Sequence, residues 1–242
     1  MATKGADLAI AVKRVPDAVC VPLRGRLIWD VVDAFPQPHG NHWNETECKH
    51  WLAREVNRIK PIGLIAATQA MAKDCEHFGI PVLWLPHHYR PGSQKNPIRK
   101  EIRAVGYEGG PDYLRDWRPI IDRECERIGA MFRVNPPSLA ELDVVLALRS
   151  ATGYAARNWK SNVKLANAHG SGTPWIGCRE AGYQEMSCGY EAWADSADQL
   201  QWALESLMDY EIRKEVSEKF LAFAFPLEAA AATLKEWLTK CF

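Results

Sequence analysis

Arg157-Asn158-Trp159-Lys160-Ser161-Asn162-Val163-Lys164-Leu165-Ala166-Asn167-Ala168-His169-Gly170-Ser171-Gly172-Thr173-Pro174 reads as a helix held between two loops. Ser161 has the chemistry of an N-cap, and Val163 to His169 contains good helix formers. Gly170 and Gly172 supply the stop, and Pro174 cannot extend the helix. Pro174 to Cys178 then reads as a short buried strand. A helix running at once into such a strand is the repeating unit of a parallel α/β sheet.

The charge on this stretch is out of place. Arg157, Lys160 and Lys164 crowd the start of the helix, an end that already carries about half a positive charge. A broken local rule with no visible compensation points to a site. A bound anion, held by free backbone N–H groups and the lysines together, is the simplest compensation, so the stretch reads as a phosphate or diphosphate site. Solvated basic residues on a loop are the ordinary alternative.

The chain has 242 residues, of which 47% are hydrophobic, enough to bury one large core or two small ones. Lys+Arg and Asp+Glu balance at 30 each, which excludes an overall basic field that would draw the chain to nucleic acid. The seven cysteines are scattered with no C-x-x-C pair, the start is no signal peptide, and no apolar run approaches the roughly 20 residues that span a bilayer. A cytoplasmic setting with free thiols, and no transmembrane segment, is expected. Ten tryptophans suit ring-shaped ligands or plain packing.

In chain order, strands are expected at Asp7–Val15, Leu27–Asp33, Gly63–Thr68 and Pro81–Pro86. Helices are expected at Glu45–Lys60 and Gln69–Phe78, with Gly79 as the stop. Near-continuous apolar strands suit a parallel sheet covered on both faces. Arg90 to Pro97 has linker composition, and the alternation then restarts. Strands are expected at Arg103–Tyr107, Ala130–Val134, Asp143–Leu148 and Pro174–Cys178. Helices are expected at Tyr113–Gly129, Ser138–Leu142 with a Ser138–Glu141 capping box, Trp193–Met208 and Glu211–Leu238, the last broken at Pro226. Arg179 to Glu185 is expected as a loop. Polar residues gather past the carboxyl end of the second strand, where α/β sheets bind ligands, which makes Asp33 and His39 candidates. His39, His42, Cys48 and His50 fall close together but do not match a standard zinc module, so no metal is expected.

Lys160-Ser161-x-x-Lys164-Leu165-x-x-Ala168-x-x-x-Gly172-x-Pro174, followed by Glu180-x-Gly182-Tyr183-x-Glu185, resembles the donor-binding core of the GT-B nucleotide-sugar glycosyltransferases, and is similar to the retaining members. Val105-Gly106-Tyr107-Glu108-Gly109 looks like the glycine loop that opens their donor domain. "LIWDVVD", "GLIAATQAMAKDC" and "PVLWLPHH" are similar to the second half of their acceptor domain. The resemblance covers residues 5–215. It implies two Rossmann-like α/β domains: a reduced acceptor side at 1–97, a donor domain at 98–215, and a helical tail at 216–242 that crosses back to the first domain.

The resemblance implies sugar transfer from a nucleoside diphosphate sugar to a hydroxyl, with no tightly bound cofactor and no metal. Gly106, Gly109, Arg149, Lys160 and Lys164 would then meet the diphosphate, as cations and N–H dipoles that stabilise the leaving group. Glu180, Gly182, Tyr183 and Glu185 would border the donor, through ligand hydroxyls or ring stacking, with a solvated loop and a packing tyrosine as the ordinary alternatives. Many retaining members carry two glutamates eight residues apart across this helix, the second binding ribose. Trp159 and Asn167 occupy those positions, and Asn167 offers a weaker hydrogen bond than a carboxylate. Asp33, His39, His87 and His88 form the expected acceptor side. Asp33 would be a general base in an inverting enzyme and would orient substrate in a retaining one. Polysaccharide, lipid-linked sugar or a 5-hydroxymethylated DNA base all fit as acceptor. For DNA, Arg24, Arg26, Arg90, Lys95, Arg99 and Lys100 would line one rim. A nucleotide-sugar-binding module without catalysis is the second function class.

Overall fold

A computed structural model describes residues 7–37 and 39–242. The first residues and Pro38, both part of the sequence reading, lie outside that range.

Two parallel sheets form the frame. The first has order β1-β2-β3-β4, from β1 (Ala9–Val12), β2 (Leu27–Asp30), β3 (Gly63–Ala66) and β4 (Val82–Trp84). The second has order β6-β5-β7-β8-β9, from β5 (Ala104–Tyr107), β6 (Met131–Val134), β7 (Val144–Ala147), β8 (Trp175–Gly177) and β9 (Ala192–Trp193). β3, β5 and β7 are buried along their whole length, which is why they read as unbroken apolar runs.

α1 (Asp17–Cys20) lies between β1 and β2; α2 (Glu45–Ile59) follows β2 and starts at a full capping box, Asn44 with Glu47. Trp51, Leu52, Val56 and Ile59 face the first core. α3 (Gln69–Cys75) is capped by Thr68, and Gly79 closes the turn after it in the left-handed region. α4 (Trp117–Arg127) buries Trp117, Ile121 and Cys125 against the second sheet. α5 (Tyr154–Asn158) and α6 (Val163–Ser171) precede β8, and α7 (Ala181–Glu185) follows it. α8 (Ala197–Ser206), α9 (Tyr210–Phe223) and α10 (Leu227–Cys241) end the chain, with Pro226 as the break.

Several local expectations fail for identifiable reasons. Ser161 is not the N-cap of α6; Asn162 is, and no side chain caps it, because the Asn162 amide binds the backbone of His87. Gly170 lies inside the helix, pressed on Tyr89, and Gly172 alone takes the left-handed stop. Ser138 caps only a single 3-10 turn through Ala140 N–H, while Glu141 faces Arg133, so no capping box forms. Arg179 to Glu185 contains α7 rather than loop alone. Trp193 lies in β9, packed edge-on to Trp175, and Ser196 starts the helix that was expected to begin at 193.

The largest surprise is where α5 packs. Ala155 and Trp159 are wholly buried in the core of the first sheet, not of the second. Trp159 packs on Phe35, Trp51 and Tyr154, and its indole N–H donates to Asp74 at 2.9 Å. A short stretch of the later half is thus built into the earlier one.

α9 belongs to the second core through Val216 and Phe220, so the expected boundary after residue 215 falls inside a helix. α10 then returns to the first sheet: a side chain on Gly63 of β3 would meet Trp237 at 3.0 Å and Phe242 at 2.9 Å. Among the described residues, no helix is long and apolar enough to cross a membrane.

Candidate functional site

The carboxyl ends of both sheets face a groove of about 180 Å³. One wall holds Asp33 and Gln37, from the turn after β2. The other holds Tyr107, Gly109, Gly110, Tyr113 and Arg149, from the ends of β5 and β7. The start of α6 supplies the floor, with Lys160, Ser161, Val163 and Lys164.

Lys164 is the central residue. Its Nζ lies 3.7 Å from the centre of the Tyr107 ring, and it forms no ion pair and no hydrogen bond among the described residues. Burial lowers its ammonium well below the usual lysine range, and the neighbouring Arg149 adds to the effect. Gly109 makes the room: at φ +130° it takes a conformation open to glycine, and a Cβ there would stand 3.4 Å from Lys164 Nζ. The amide N–H of Gly109 is committed to Asn135, so the loop admits the lysine rather than cradling an anion with that N–H.

Lys160 is 7% exposed. It donates to Gln37 Oε1, lies 3.9 Å from Asp33 and sits over the Phe35 ring at 4.9 Å. Burial and Arg149 bring it down to about 8, against the pull of Asp33 and Glu180. Tyr113 also donates to Gln37, at 3.2 Å, so Gln37 bridges the groove.

Asp33 stands between Lys13 at 2.9 Å and Lys160. Burial raises its carboxyl, but the two lysines and Gln37 outweigh that and hold it below the usual range. Val32, a β-branched residue, is at φ +44°, and Lys13 is at φ +61°. Both are strained positions at strand ends, and together they bring Lys13 and Asp33 face to face.

Other expected site residues are occupied elsewhere. Arg149 closes on Glu180 at 2.6 Å and donates to Tyr183 Oη at 3.2 Å; Glu180 holds it charged, and all three are nearly buried. Burial raises the Glu180 carboxyl, with Arg149 and the two lysines pulling the other way, and among the described residues its Oε2 has no hydrogen-bond partner. Tyr183 packs on Trp175, so it is no stacking platform. Glu185 accepts from Gln69 N–H and Ala70 N–H, which makes it a cap for α3. Gly106 and Gly182 serve packing: a Cβ would strike Leu142 in the first case and the Lys160 carbonyl in the second.

Asn167 is buried one turn after Lys164 on α6, its amide shared between Arg90 N–H and Glu108. His39 is exposed against Trp43, outside the groove. His87 is half-buried beside the site, lowered by burial and by His88, with Asp33 opposing; His88 bonds the carbonyl of Tyr89. Arg157 is exposed on α5 and lines a different cleft with Arg179.

Gln37 and Tyr113 carried no sequence signal of their own, and Tyr107 and Glu108 stood inside the glycine-loop stretch without being singled out. Only their place after a strand end would have marked them. Cys48 is buried in the first core, apart from exposed His39, His42 and His50. Among the described residues, His169, Cys188 and Glu191 are grouped at metal-ligating distance, but Glu191 is filled by His169, Ser187 and two backbone N–H groups. The rim expected for DNA does not assemble: Arg24 and Arg26 precede β2, and Arg99 and Lys100 precede β5, at the strand ends opposite the groove.

No protein-family model matches the sequence, and no curated protein matches it either. Solved structures do. Sucrose-phosphate synthase from Thermosynechococcus elongatus superposes with TM-score 0.62 at 14% identity, over 99% of this chain and 74% of that one. Anabaena HepE in complex with UDP and glucose gives 0.62 at 13%, over 96% and 77%. The lipopolysaccharide outer core galactosyltransferase WaaB gives 0.56 at 11%, over 99% and 77%. From this likeness, and from two parallel sheets that face each other across a groove at their carboxyl ends, the chain has the GT-B fold of these glycosyltransferases.

Proposed function

We propose that the groove binds a nucleoside diphosphate sugar and transfers the sugar to a hydroxyl acceptor. The observation that carries this reading is Lys164: a half-buried ammonium that forms no ion pair and no hydrogen bond among the described residues, with Glu180 and Glu108 acting on it only through space, at a helix start that no side chain caps. A diphosphate would restore its charge balance and accept from the free N–H groups of the first turn of α6. Anabaena HepE, which shares the fold, was solved with UDP-glucose, which supports the choice of ligand.

In the transfer, the bond from the sugar's anomeric carbon to the diphosphate oxygen breaks. The acceptor oxygen bonds to that carbon and passes its proton to the departing diphosphate oxygen. Lys160 and Lys164 take up the charge developing on the diphosphate. This chemistry draws its cations from lysine, with Arg149 behind them. Asp33, held ionised between two lysines, is a poor base; the reading makes it an orienting group and favours retention. A polysaccharide or lipid-linked sugar fits the acceptor better than DNA, because four of the six basic residues considered for a rim lie at the far strand ends.

A binding module without catalysis is the second reading. It is favoured by the carboxylates nearest the groove, Asp33 and Glu180, both already closed on cations. One experiment addresses both. Titrating UDP-, GDP- and ADP-sugars by calorimetry should find one that binds, and Lys164→Ala should weaken it about 10- to 100-fold. Slow release of nucleoside diphosphate marks an enzyme; tight binding with no release marks a module. Unchanged binding by Lys164→Ala would remove the diphosphate assignment.

A further inference from the structure

β1 is the outermost strand of the first sheet, and among the described residues no strand lies beyond it. The N–H of Ala9 donates to the Arg26 carbonyl and that of Lys13 to the Asp30 carbonyl, so the odd-numbered residues of this stretch turn their backbone groups inward to β2. With a period of two, the N–H and C=O of Leu8, Ile10 and Val12 point outward to the open edge. Such a row is a template for one further strand.

The side chains of the same residues lie at the margin of an apolar cover. Ile10, Ile28 of β2 and Gly63 of β3 stand in one row across the sheet. α10 closes this face over Gly63 with Trp237 and Phe242, and Ile28 is fully buried. The cover ends there: Ile10 is 42% exposed and Val12 56%, and Phe242 is exposed as well. Ala9 and Ala11, on the opposite face, pack on the first core. The open surface is thus one strand edge with an apolar strip beside it.

The residue order says what fits this edge. Asp7-Leu8-Ala9-Ile10-Ala11-Val12-Lys13 mirrors itself in polarity about Ile10, with opposite charges at its two ends. Laid antiparallel on a second copy, Ile10 faces Ile10, Ala9 faces Ala11, Leu8 faces Val12 and Asp7 faces Lys13. The residues whose backbone groups point outward then meet one another. Ile10 with Ile10, and Leu8 with Val12 on either side, become the hydrogen-bonded pairs, with about six N–H···O=C bonds in all. A slip of two residues would set Leu8 against Arg14 and Ala9 against Lys13, and a slip of one would match the wrong faces. Lys13 already holds Asp33, and its pair with Asp7 would lie in water, so these end charges select the register rather than add affinity.

We infer that two copies of this chain pair β1 with β1 about a two-fold axis at Ile10, joining their four-stranded sheets into one continuous sheet. The contact is small, so the dimer exchanges with monomer. The inference stands apart from the sugar-transfer reading.

The test is sedimentation velocity from about 1 to about 200 µM, where monomer should give way to dimer with a midpoint on the order of 10 µM. Ile10→Lys sets two ammonium groups against each other at the axis and should raise the dissociation constant at least about 100-fold. Val12→Pro removes only an outward N–H, keeps the bonds to β2, and should weaken the dimer at least about tenfold with circular dichroism unchanged. The register is read by oxidation in a Cys241→Ser background, which takes out the exposed native thiol. Ile10→Cys should form a covalent dimer, its Cα atoms about 5.5 Å apart across the axis, while Val12→Cys, more than about 13 Å from its mate, should not. Monomer at every concentration, a dimer indifferent to both Ile10→Lys and Val12→Pro, or faster oxidation of Val12→Cys than of Ile10→Cys overturns the inference.

Discussion

Lys160 shows how burial turns a common residue into a reporter. Its ammonium is brought from 10.5 to about 8 by desolvation, with Arg149 assisting. Between those values the folded chain binds fewer protons than the unfolded one, so this lysine makes stability rise with pH across that window. Ligand binding runs the other way, because an anion favours the charged form. Diphosphate affinity should fall as the pH rises through about 8, by up to tenfold per unit for this lysine, with proton uptake on binding, until the pKa of the complex is reached. Calorimetry in buffers of different ionisation enthalpy measures that uptake directly. Lys160→Met should remove the inflection near 8; its persistence would assign the titration to another group.

The same scale explains what could be read from single residues. Lys160 and Lys164 were legible because they break a helix rule in the linear sequence. Glu180 and Tyr183 were not, because their partner Arg149 arrives from another strand end and converts two apparent ligand contacts into a buried support. Position 167 lacks the carboxylate that the family resemblance implies, yet Glu108 brings one to within 3.1 Å of it from a different loop.

At the scale of elements, α5 is the piece whose role was hidden. Its sequence is short and weakly patterned, and nothing in it says which sheet it covers. Trp159 decides the matter by filling a space among Trp51, Phe35 and Tyr154 that the first half leaves open. Trp159→Ala should cost about 3–5 kcal/mol and lower the melting temperature by roughly 10 °C. It should also weaken diphosphate binding, since Lys160 is the next residue. A Trp159→Ala protein that melts as wild type would show that this packing does not hold the groove. α10 works similarly from the other end of the chain, laying Trp237 and Phe242 over Gly63.

For the whole molecule, these crossings tie two sheets into one cooperative unit. Asn41 and Trp43 carbonyls accept from Gly153 and Tyr154 N–H, Thr68 donates to the Asn158 carbonyl, and Glu185 caps α3 across the same seam. Thermal unfolding should therefore follow a single transition by tryptophan fluorescence and by far-ultraviolet circular dichroism. That transition should move up as a whole when a binding nucleotide is added. Two separated transitions, of which the ligand moves only one, would mean that the halves unfold independently.

The sequence by itself determined the alternation of strand and helix, the two parallel sheets, the helix break at Pro226 and the pair of lysines at a helix start. Each of these is local, set by hydrophobic period, turn chemistry or charge within a few residues. Only the tertiary structure decided which side chains meet in the groove: that Gln37 and Tyr113 bridge it, that Lys164 lies bare on Tyr107, that Glu180, Tyr183 and Glu185 are supports, and that Trp159 belongs to the first core. These depend on pairings between residues tens of positions apart, and a side chain's role there follows from which partner reaches it in the folded chain.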